Sequence, residues 1–203
     1  MFVSLEGCEG VGKSTQLSLL KKYLESTNQP AVYVREPGST QISEQIRKVI
    51  LDPQNTAMTD MTEALLYAAS RAQLVREVIK PALQRGELVI CDRYVDSSIA
   101  YQGYARGLGA ETIKQINAPA MDGCIPDVTI FIDLKPSEAW RTFNVPDDRM
   151  ELESKEFHNK VYAGYVAESD SSNGRFVRIK PDFDKYVTSN KIISALRERG
   201  AIK

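Results

Sequence analysis

The sequence is poor in several residue types that would point to particular classes of protein. Its 203 residues include three cysteines, one histidine and one tryptophan, and the formal net charge is −1. Cys8, Cys91 and Cys124 are an odd set without C-x-x-C spacing, so we expect reduced, packed thiols in a cytosol-like compartment. No run of Lys or Arg exceeds two residues, which argues against a nucleic-acid or membrane-surface footprint.

Long hydrophobic runs are also missing. No apolar stretch approaches the ~18 residues that a membrane span needs. The chain enters a strand-like run directly at Phe2, without a basic segment before it, so we expect no signal peptide. The hydrophobic content of 42% suits a single α/β domain over residues 1–203. Together with the expected reduced thiols, the expected lack of a signal peptide predicts a cytoplasmic location.

What is present is a phosphate-binding pattern near the N-terminus. It fits G-x-x-x-x-G-K-S/T and reads Gly7-Cys8-Glu9-Gly10-Val11-Gly12-Lys13-Ser14. Glycines allow successive backbone N–H groups to surround an anion, Lys13 can reach the β/γ-phosphates, and the Ser14 hydroxyl can bind Mg²⁺. The apolar run before the loop and the leucine spacing after it predict a strand and a helix, the context that a nucleoside triphosphate site requires.

Strand-like runs recur along the chain and alternate with helical patterns. They are Phe2–Leu5, Ala31–Val34, Leu88–Cys91, Val128–Ile132 and Phe176–Ile179. Such alternation predicts a five-stranded parallel sheet with helices on both faces, a three-layer α/β fold. Ligands in these folds gather at the carboxyl ends of the strands.

Polar residues follow the second strand, where Arg35-Glu36-Pro37-Gly38 reads either as a surface turn or as part of a site. The Glu36–Pro37 bond is a candidate for the cis form. A helix predicted over residues 40–51 would bury Ile42, Ile46, Val49 and Ile50. Arg47 lies off that stripe, and by itself it is a solvated charge.

A longer helix is predicted from Glu63 to Ala82, with a break near Pro81. Tyr67 and Arg71 are four residues apart, so they share one face. Such a pair can hold a planar base, and it can equally be a cation–π pair on the surface.

The third strand is followed by a dense group of polar and aromatic residues. Asp92 resembles the Walker-B acid that supports Mg²⁺, and Arg93 can hold a phosphate. Further candidates for the same site are Ser97, Ser98, Tyr101 and Gln102.

A polar segment covers residues 140–154 and contains Arg149. It reads either as a short mobile lid that carries an arginine or as a disordered surface loop. His158, on the helix that follows, is expected to be exposed and to have no catalytic role.

Taken together, these blocks resemble bacterial thymidylate kinases, essentially from end to end. The residues that carry the resemblance are Gly7–Thr15, Arg35–Thr40, Tyr67–Gln73, Asp92–Ser98 and Ala100–Gly103. The resemblance implies a P-loop kinase fold and transfer of the ATP γ-phosphoryl group to dTMP, giving dTDP and ADP for dTTP biosynthesis. It also implies a requirement for Mg²⁺ and a homodimer.

The resemblance further implies a role for each matched position. ATP would be bound by the loop, from Gly7, Cys8, Glu9, Gly10, Val11, Gly12 and Lys13 to Ser14 and Thr15, and Mg²⁺ by Ser14 and Asp92. Catalysis would rest on Lys13, Arg93 and Arg149, the last as the lid arginine. The residues that would bind dTMP are Glu9, Arg35, Glu36, Pro37, Arg47, Tyr67, Arg71, Arg93, Ser97, Ser98, Tyr101 and Gln102. Among these, Arg71 and Tyr67 would hold the base, and Tyr101 would crowd the sugar 2′ position.

This chemistry agrees with the shortage of histidine. The nucleophile would be a phosphate oxygen of dTMP, whose second pKa is near 6, so no general base is needed at neutral pH. The rivals are another nucleoside monophosphate kinase, a deoxynucleoside kinase, and a GTPase switch or regulatory ATPase. Arg47 and Arg93 favour a monophosphate acceptor, and the sequence lacks the Asn-Lys-x-Asp run that usually gives guanine specificity.

Overall fold

A computed structural model describes residues 1–139 and 148–203. Five parallel strands form one sheet in the order β2-β3-β1-β4-β5. The strands are β1 (Phe2–Glu6), β2 (Ala31–Arg35), β3 (Leu88–Asp92), β4 (Val128–Ile132) and β5 (Phe176–Ile179). All five were predicted, and the first three extend one residue further, so that each ends on a charged residue of the site edge.

Helices occupy the connections between the strands, and one more helix follows the last strand. In chain order they are α1 (Lys13–Ser26), α2 (Gln41–Leu51), α3 (Asp60–Leu74), α4 (Lys80–Gln84), α5 (Val95–Ser98), α6 (Ala110–Met121), α7 (Pro136–Ala139), α8 (Lys155–Ser171) and α9 (Lys185–Glu198). Two π-helical segments, Val75–Ile79 and Ile99–Ala105, continue α3 and α5. No helix in the described ranges is both long and apolar enough to cross a membrane.

The side chains of β3 show why the sheet is covered on both faces. Leu88 and Ile90 belong to the apolar cluster that contains residues of α1, α8 and α9, whereas Val89 and Cys91 belong to the cluster that contains residues of α3 and α6. Alternate residues of a strand point to opposite faces, so an entirely apolar strand needs a layer of helices on each side. The predicted three-layer arrangement is confirmed.

The prediction of a break near Pro81 was wrong. Helical structure runs from Asp60 to Gln84, and its hydrogen bonding changes before the proline: the N–H of Lys80 donates to the carbonyl of Val75, five residues back. Pro81 lies in the first turn of α4, where a missing N–H is tolerated.

The predicted apolar stripe of α2 was also wrong in part. Ile50 is buried, but Ile42 and Val49 are 50% and 47% exposed. The other buried residue of α2 is Ser43, which lies on the same face as Ile50 and whose hydroxyl donates to the carbonyl of Ser70 over 2.9 Å. A small side chain lets α2 approach α3 closely, and the larger apolar side chains then face outward.

His158 is another correction, because it is 2% exposed and packs edge-on against Phe157 at a centroid distance of 5.6 Å. Burial lowers its pKa. The three cysteines are buried free thiols. Burial raises the pKa of Cys8 to about 12, so this thiol packs rather than reacts.

Candidate active site

The phosphate loop connects β1 to α1, as its sequence predicted. Gly7 has φ 151°, and a Cβ there would lie 2.9 Å from Val11 Cγ2 and 3.1 Å from the carbonyl oxygen of Ile132, so only glycine fits. Gly12, at φ 91°, precedes α1 and offers no capping side chain. The first N–H groups of α1 therefore suit an anion.

Lys13, the first residue of α1, is buried beneath this loop. Its Nζ donates to the carbonyls of Gly7 and Cys8 over 2.9 and 2.8 Å. Burial and the nearby charge of Arg93 lower the pKa of Lys13 to about 8. The ammonium is therefore held against the loop that would bind the phosphates.

A cleft opens beside the loop, at the carboxyl ends of β1, β2 and β3. It brings together every predicted acceptor-site residue except Arg35: Glu9, Glu36, Pro37, Arg47, Tyr67, Arg71, Arg93, Ser97, Ser98, Tyr101 and Gln102. The Arg35 side chain is 46% exposed and pairs with Glu44 at 2.9 Å instead. Arg47 is half-buried, and its Nη1 donates to the carbonyl of Pro37 over 2.9 Å. The bond between Glu36 and Pro37 is cis.

Arg71 lies at the bottom of the cleft and is 1% exposed. Its guanidinium pairs with Glu36 and donates to Asn117 Oδ1 and, over 3.2 Å, to Ser98 Oγ. The ring 5.1 Å from the guanidinium is Tyr94 rather than Tyr67, so Arg71 is not part of a surface cation–π pair. The buried Nε has no partner in the described part of the chain.

Arg93 connects the cleft to the phosphate loop. Its Nη1 donates to the carbonyl of Gly7 over 2.9 Å, and its Nη2 pairs with Glu9 at 2.6 Å. The Tyr101 hydroxyl donates to the same Glu9 oxygen over 2.9 Å. Burial works to raise the pKa of Glu9, but Arg93 and Lys13 lower it to about 2. The carboxylate is ionised and fixed between the two subsites.

The backbone of Arg93 is unusual, with φ 64° in the left-handed region. A non-glycine residue in this conformation costs about 1–3 kcal/mol, and such residues cluster at functional sites. The Arg93 side chain that follows this turn contacts Gly7 and Glu9 of the phosphate loop.

Glu6 is a site residue that sequence reasoning missed. Its buried carboxylate accepts from the Tyr94 N–H (2.7 Å), Ser97 Oγ (2.6 Å) and Tyr165 hydroxyl (3.0 Å). Burial, and then repulsion by Asp96, raises its pKa to about 7. The signal was a carboxylate at the end of an apolar strand, one residue beyond the predicted boundary.

The surroundings of Asp92 and Ser14, the two expected Mg²⁺ ligands, suit a metal ion. Asp92 ends β3, and its buried Oδ1 has no hydrogen-bond partner among the described residues. Ser14 is exposed at the start of α1. A carboxylate oxygen without a hydrogen-bond partner and a hydroxyl oxygen are ligands of the type that Mg²⁺ prefers, so these residues fit the ion.

Residues 140–147 of the predicted lid lie outside the described residues. Arg149 lies in the turn that follows, where its Nε donates to the carbonyl of Ile50 over 2.9 Å and its Nη2 pairs with the buried Glu63. It does not line the cleft, although Asp148, Met150 and Glu151 do. Sequence reasoning missed these three residues, as it missed Leu51 and Tyr94. Tyr94 stands within a recognised block, but the others carry no local signal.

Comparisons with known proteins give one consistent result. A family model described as thymidylate kinase matches residues 5–192. A thymidylate kinase of Caldanaerobacter subterraneus subsp. tengcongensis is 43% identical over 97% of this chain and 95% of its own length. One from Bacillus velezensis is 42% identical over 98% of this chain and 95% of its own.

A solved structure agrees with the sequence relatives. The crystal structure of thymidylate kinase from Ehrlichia chaffeensis superimposes with a TM-score of 0.80 at 30% identity, covering 97% of this chain and 98% of that chain. The match therefore extends over the sheet, the phosphate loop and the cleft described above. This chain belongs to the thymidylate kinase family.

Proposed function

We propose that this chain transfers the γ-phosphoryl group of ATP to dTMP, giving dTDP and ADP in dTTP biosynthesis. The observation that carries the proposal is the cleft beside the phosphate loop. A buried arginine, Arg71, lies at its bottom, where it suits the base of a nucleotide, and a second arginine, Arg93, lies at the loop, where it suits the phosphate. Family membership supports the same reaction.

Each end of the cleft has a chemical task under this proposal. Arg71 and Tyr67 hold the base, and Tyr101 limits the space beside the sugar. Arg93 and Arg47 hold the acceptor phosphate, which needs no general base because it is already ionised. Lys13, the glycine-rich loop and the start of α1 hold the ATP phosphates. The contribution of the protein is positioning and charge neutralisation.

Mg²⁺ is part of the proposal, with Ser14 and Asp92 as the residues that would hold it. Bound there, the ion would offset the negative charge of the phosphates. Arg149 stays a candidate lid residue within the predicted segment 140–154, and its contacts with Ile50 and Glu63 support a second role as an anchor for that segment.

We also propose a single cytoplasmic domain that forms a homodimer. Support for the dimer comes from two packed helices that each expose a pair of large apolar side chains, Ile42 and Val49 on α2 and Met61 and Leu65 on α3. Adjacent exposed apolar faces are typical of protein interfaces. Sedimentation of the native chain, with Ile42→Glu as the comparison, tests this.

A coupled ADP-release assay tests the activity. It uses ATP with Mg²⁺ and each nucleoside monophosphate in turn, with thymidine and no acceptor as controls. Release with dTMP, and weak release at most with dUMP, is the expected result. Turnover with thymidine, or without any acceptor, would contradict the proposed reaction.

A further inference from the structure

Glu63 is a buried carboxylate next to the cleft that the proposed reaction leaves without a task. It lies on α3 and is 1% exposed. Its Oε1 accepts from Gln102 Nε2 (2.8 Å) and Arg106 Nε (3.2 Å). Its Oε2 accepts from Arg106 Nη2 (3.0 Å) and pairs with Arg149. These four bonds use the capacity of a carboxylate.

The charge of Glu63 follows from these contacts. Burial acts to raise its pKa, but hydrogen bonds from Arg106 and Gln102 and the charge of Arg149 lower it. The group is therefore an ionised carboxylate at neutral pH, and an ionised carboxylate can only accept hydrogen bonds.

This fixes the orientation of the Gln102 amide. If the amide were reversed, its oxygen would face a carboxylate oxygen, and two acceptors without a proton between them repel. The NH₂ group must therefore face Glu63. No residue of the described ranges donates to Gln102 Oε1, and Gln102 lines the cleft. The amide thus presents an acceptor to the base end of the site.

The opposite polarity comes from Arg71, which also lines the cleft and whose guanidinium contains donors only. One donor and one acceptor then face the base. A thymine edge carries an acceptor (O4) and a donor (N3–H), whereas a cytosine edge carries the reverse pattern (N4–H₂ and N3). The pair matches the first and opposes the second.

We propose that Glu63 is a positioning residue for base specificity: by holding Gln102 as an acceptor, it makes the site reject bases whose edge has the reversed pattern. The inference rests on the proposed function and adds the residue that decides between pyrimidines. Glu63 acts through Gln102 and does not itself touch the nucleotide that is phosphorylated.

The test compares dTMP with 5-methyl-dCMP, which has the same methyl group and sugar but the reversed edge. The measured quantity is the ratio of kcat/KM for dTMP to kcat/KM for 5-methyl-dCMP. Glu63→Gln lets the amide of Gln102 turn, because the introduced side-chain amide can donate to the Gln102 oxygen. We expect the ratio to fall by roughly 5- to 100-fold, the factor that corresponds to one mispaired buried polar group.

Glu153→Gln is the matched control, since Glu153 pairs with the same Arg106 at 2.6 Å but has no bond to Gln102. Its ratio should equal that of the native chain. Glu63→Asp is the second variant, because it keeps the charge beside both arginines but withdraws the carboxylate from Gln102. It should also lower the ratio, and it carries the test if Glu63→Gln does not fold.

An unchanged ratio in folded Glu63 variants, with activity on both nucleotides reduced alike, would overturn the inference and leave Glu63 a purely structural role. An equal fall in Glu153→Gln would assign the effect to the charge of Arg106 and also overturn it. A native chain that does not phosphorylate dTMP would be a different result, since that would refute the proposed function itself.

Discussion

Replacing Arg71 with methionine should destabilise the fold and weaken acceptor binding together. Methionine fills much of the space of the arginine stem but leaves the Glu36 carboxylate, 3% exposed, without its cation. Asn117 and Ser98 lose a donor as well. Removing one partner of a buried ion pair costs about 3–5 kcal/mol, because the remaining charge is uncompensated.

The lower end of that range applies here, because the Glu36 carboxylate can lose its charge by binding a proton. Burial raises the pKa of Glu36 to about 7 even though Arg71 acts to lower it. Without Arg71 the carboxyl group binds a proton near neutral pH, which limits the cost to about 3 kcal/mol. For a domain of this size, about 2–4 °C per kcal/mol then gives a fall in Tm of roughly 10 °C.

The dependence on pH has a definite sign. The folded pKa of Glu36 lies above its ordinary value of 4.5, so the folded state binds more protons than the unfolded state in between. Stability is therefore lost as the pH rises through this window. Without Arg71 the folded pKa of Glu36 rises further, so in Arg71→Met the loss of stability should continue to a higher pH than in the native chain.

Chemical unfolding at several pH values, with calorimetry for dTMP and for ATP, measures these effects. The matched variant combines Arg71→Met with Glu36→Gln, which removes the unpaired carboxylate charge. This double variant should recover most of the stability but not the affinity for dTMP. A loss below about 1 kcal/mol, the value of an exposed ion pair, would refute the reasoning. So would a double variant no more stable than the single one, and equal affinity losses for both nucleotides would refute the base-binding role.

Four further predictions concern other parts of the site. Tyr101→Ala should improve the use of the ribose analogue relative to dTMP by about tenfold, because space opens beside the sugar. Tyr101→Phe should leave this preference unchanged. An unchanged ratio of kcat/KM values in the alanine variant would contradict the steric account. Glu6→Gln should reduce the loss of folding stability between pH 4.5 and about 7, since the raised pKa of Glu6 contributes to that loss. Denaturant titrations across this pH range measure the effect, and an unaltered slope of stability against pH would count against it. Asp92→Asn should raise the Mg²⁺ concentration for half-maximal rate by roughly 10- to 100-fold with dTMP affinity intact, and a parallel loss of dTMP affinity would argue for misfolding. Arg149→Ala should lower Tm if the residue is an anchor, whereas a lower kcat with an unchanged Tm would favour the lid role.

The parts of the fold that follow from local pattern were predictable from the sequence. Each strand is a short apolar run whose burial depends only on being covered on both faces, and the phosphate loop needs its glycines in place whatever surrounds them. The carboxyl ends of β1, β2 and β3 then had to meet, which brought residues as distant as Glu9 and Tyr101 into one cleft.

The features that the sequence could not indicate depend on partners far away in the chain. Arg149 pairs with Glu63 across 86 residues, and nothing near either position in the sequence indicates that contact. The burial of His158 reflects the packing of α8 against the second π-helical segment. On α2, the periodicity located the helix, but the choice between Ser43 and Ile42 as the buried residue depended on how closely α3 approaches.

The order of strands in the sheet has a consequence for synthesis of the chain. The central strand, β1, pairs only with β3 and β4, and the edge strand β2 pairs only with β3. The first two strands to leave the ribosome therefore have no partner in the sheet until Leu88–Asp92 emerges, and β1 stays open on one side until Val128–Ile132 follows. Pairing between such distant segments is slow and exposes strand edges in the meantime. The strand that leads into the phosphate loop thus gains both of its neighbours only later in synthesis, so we expect nucleotide binding to begin only after β3 and β4 have been made.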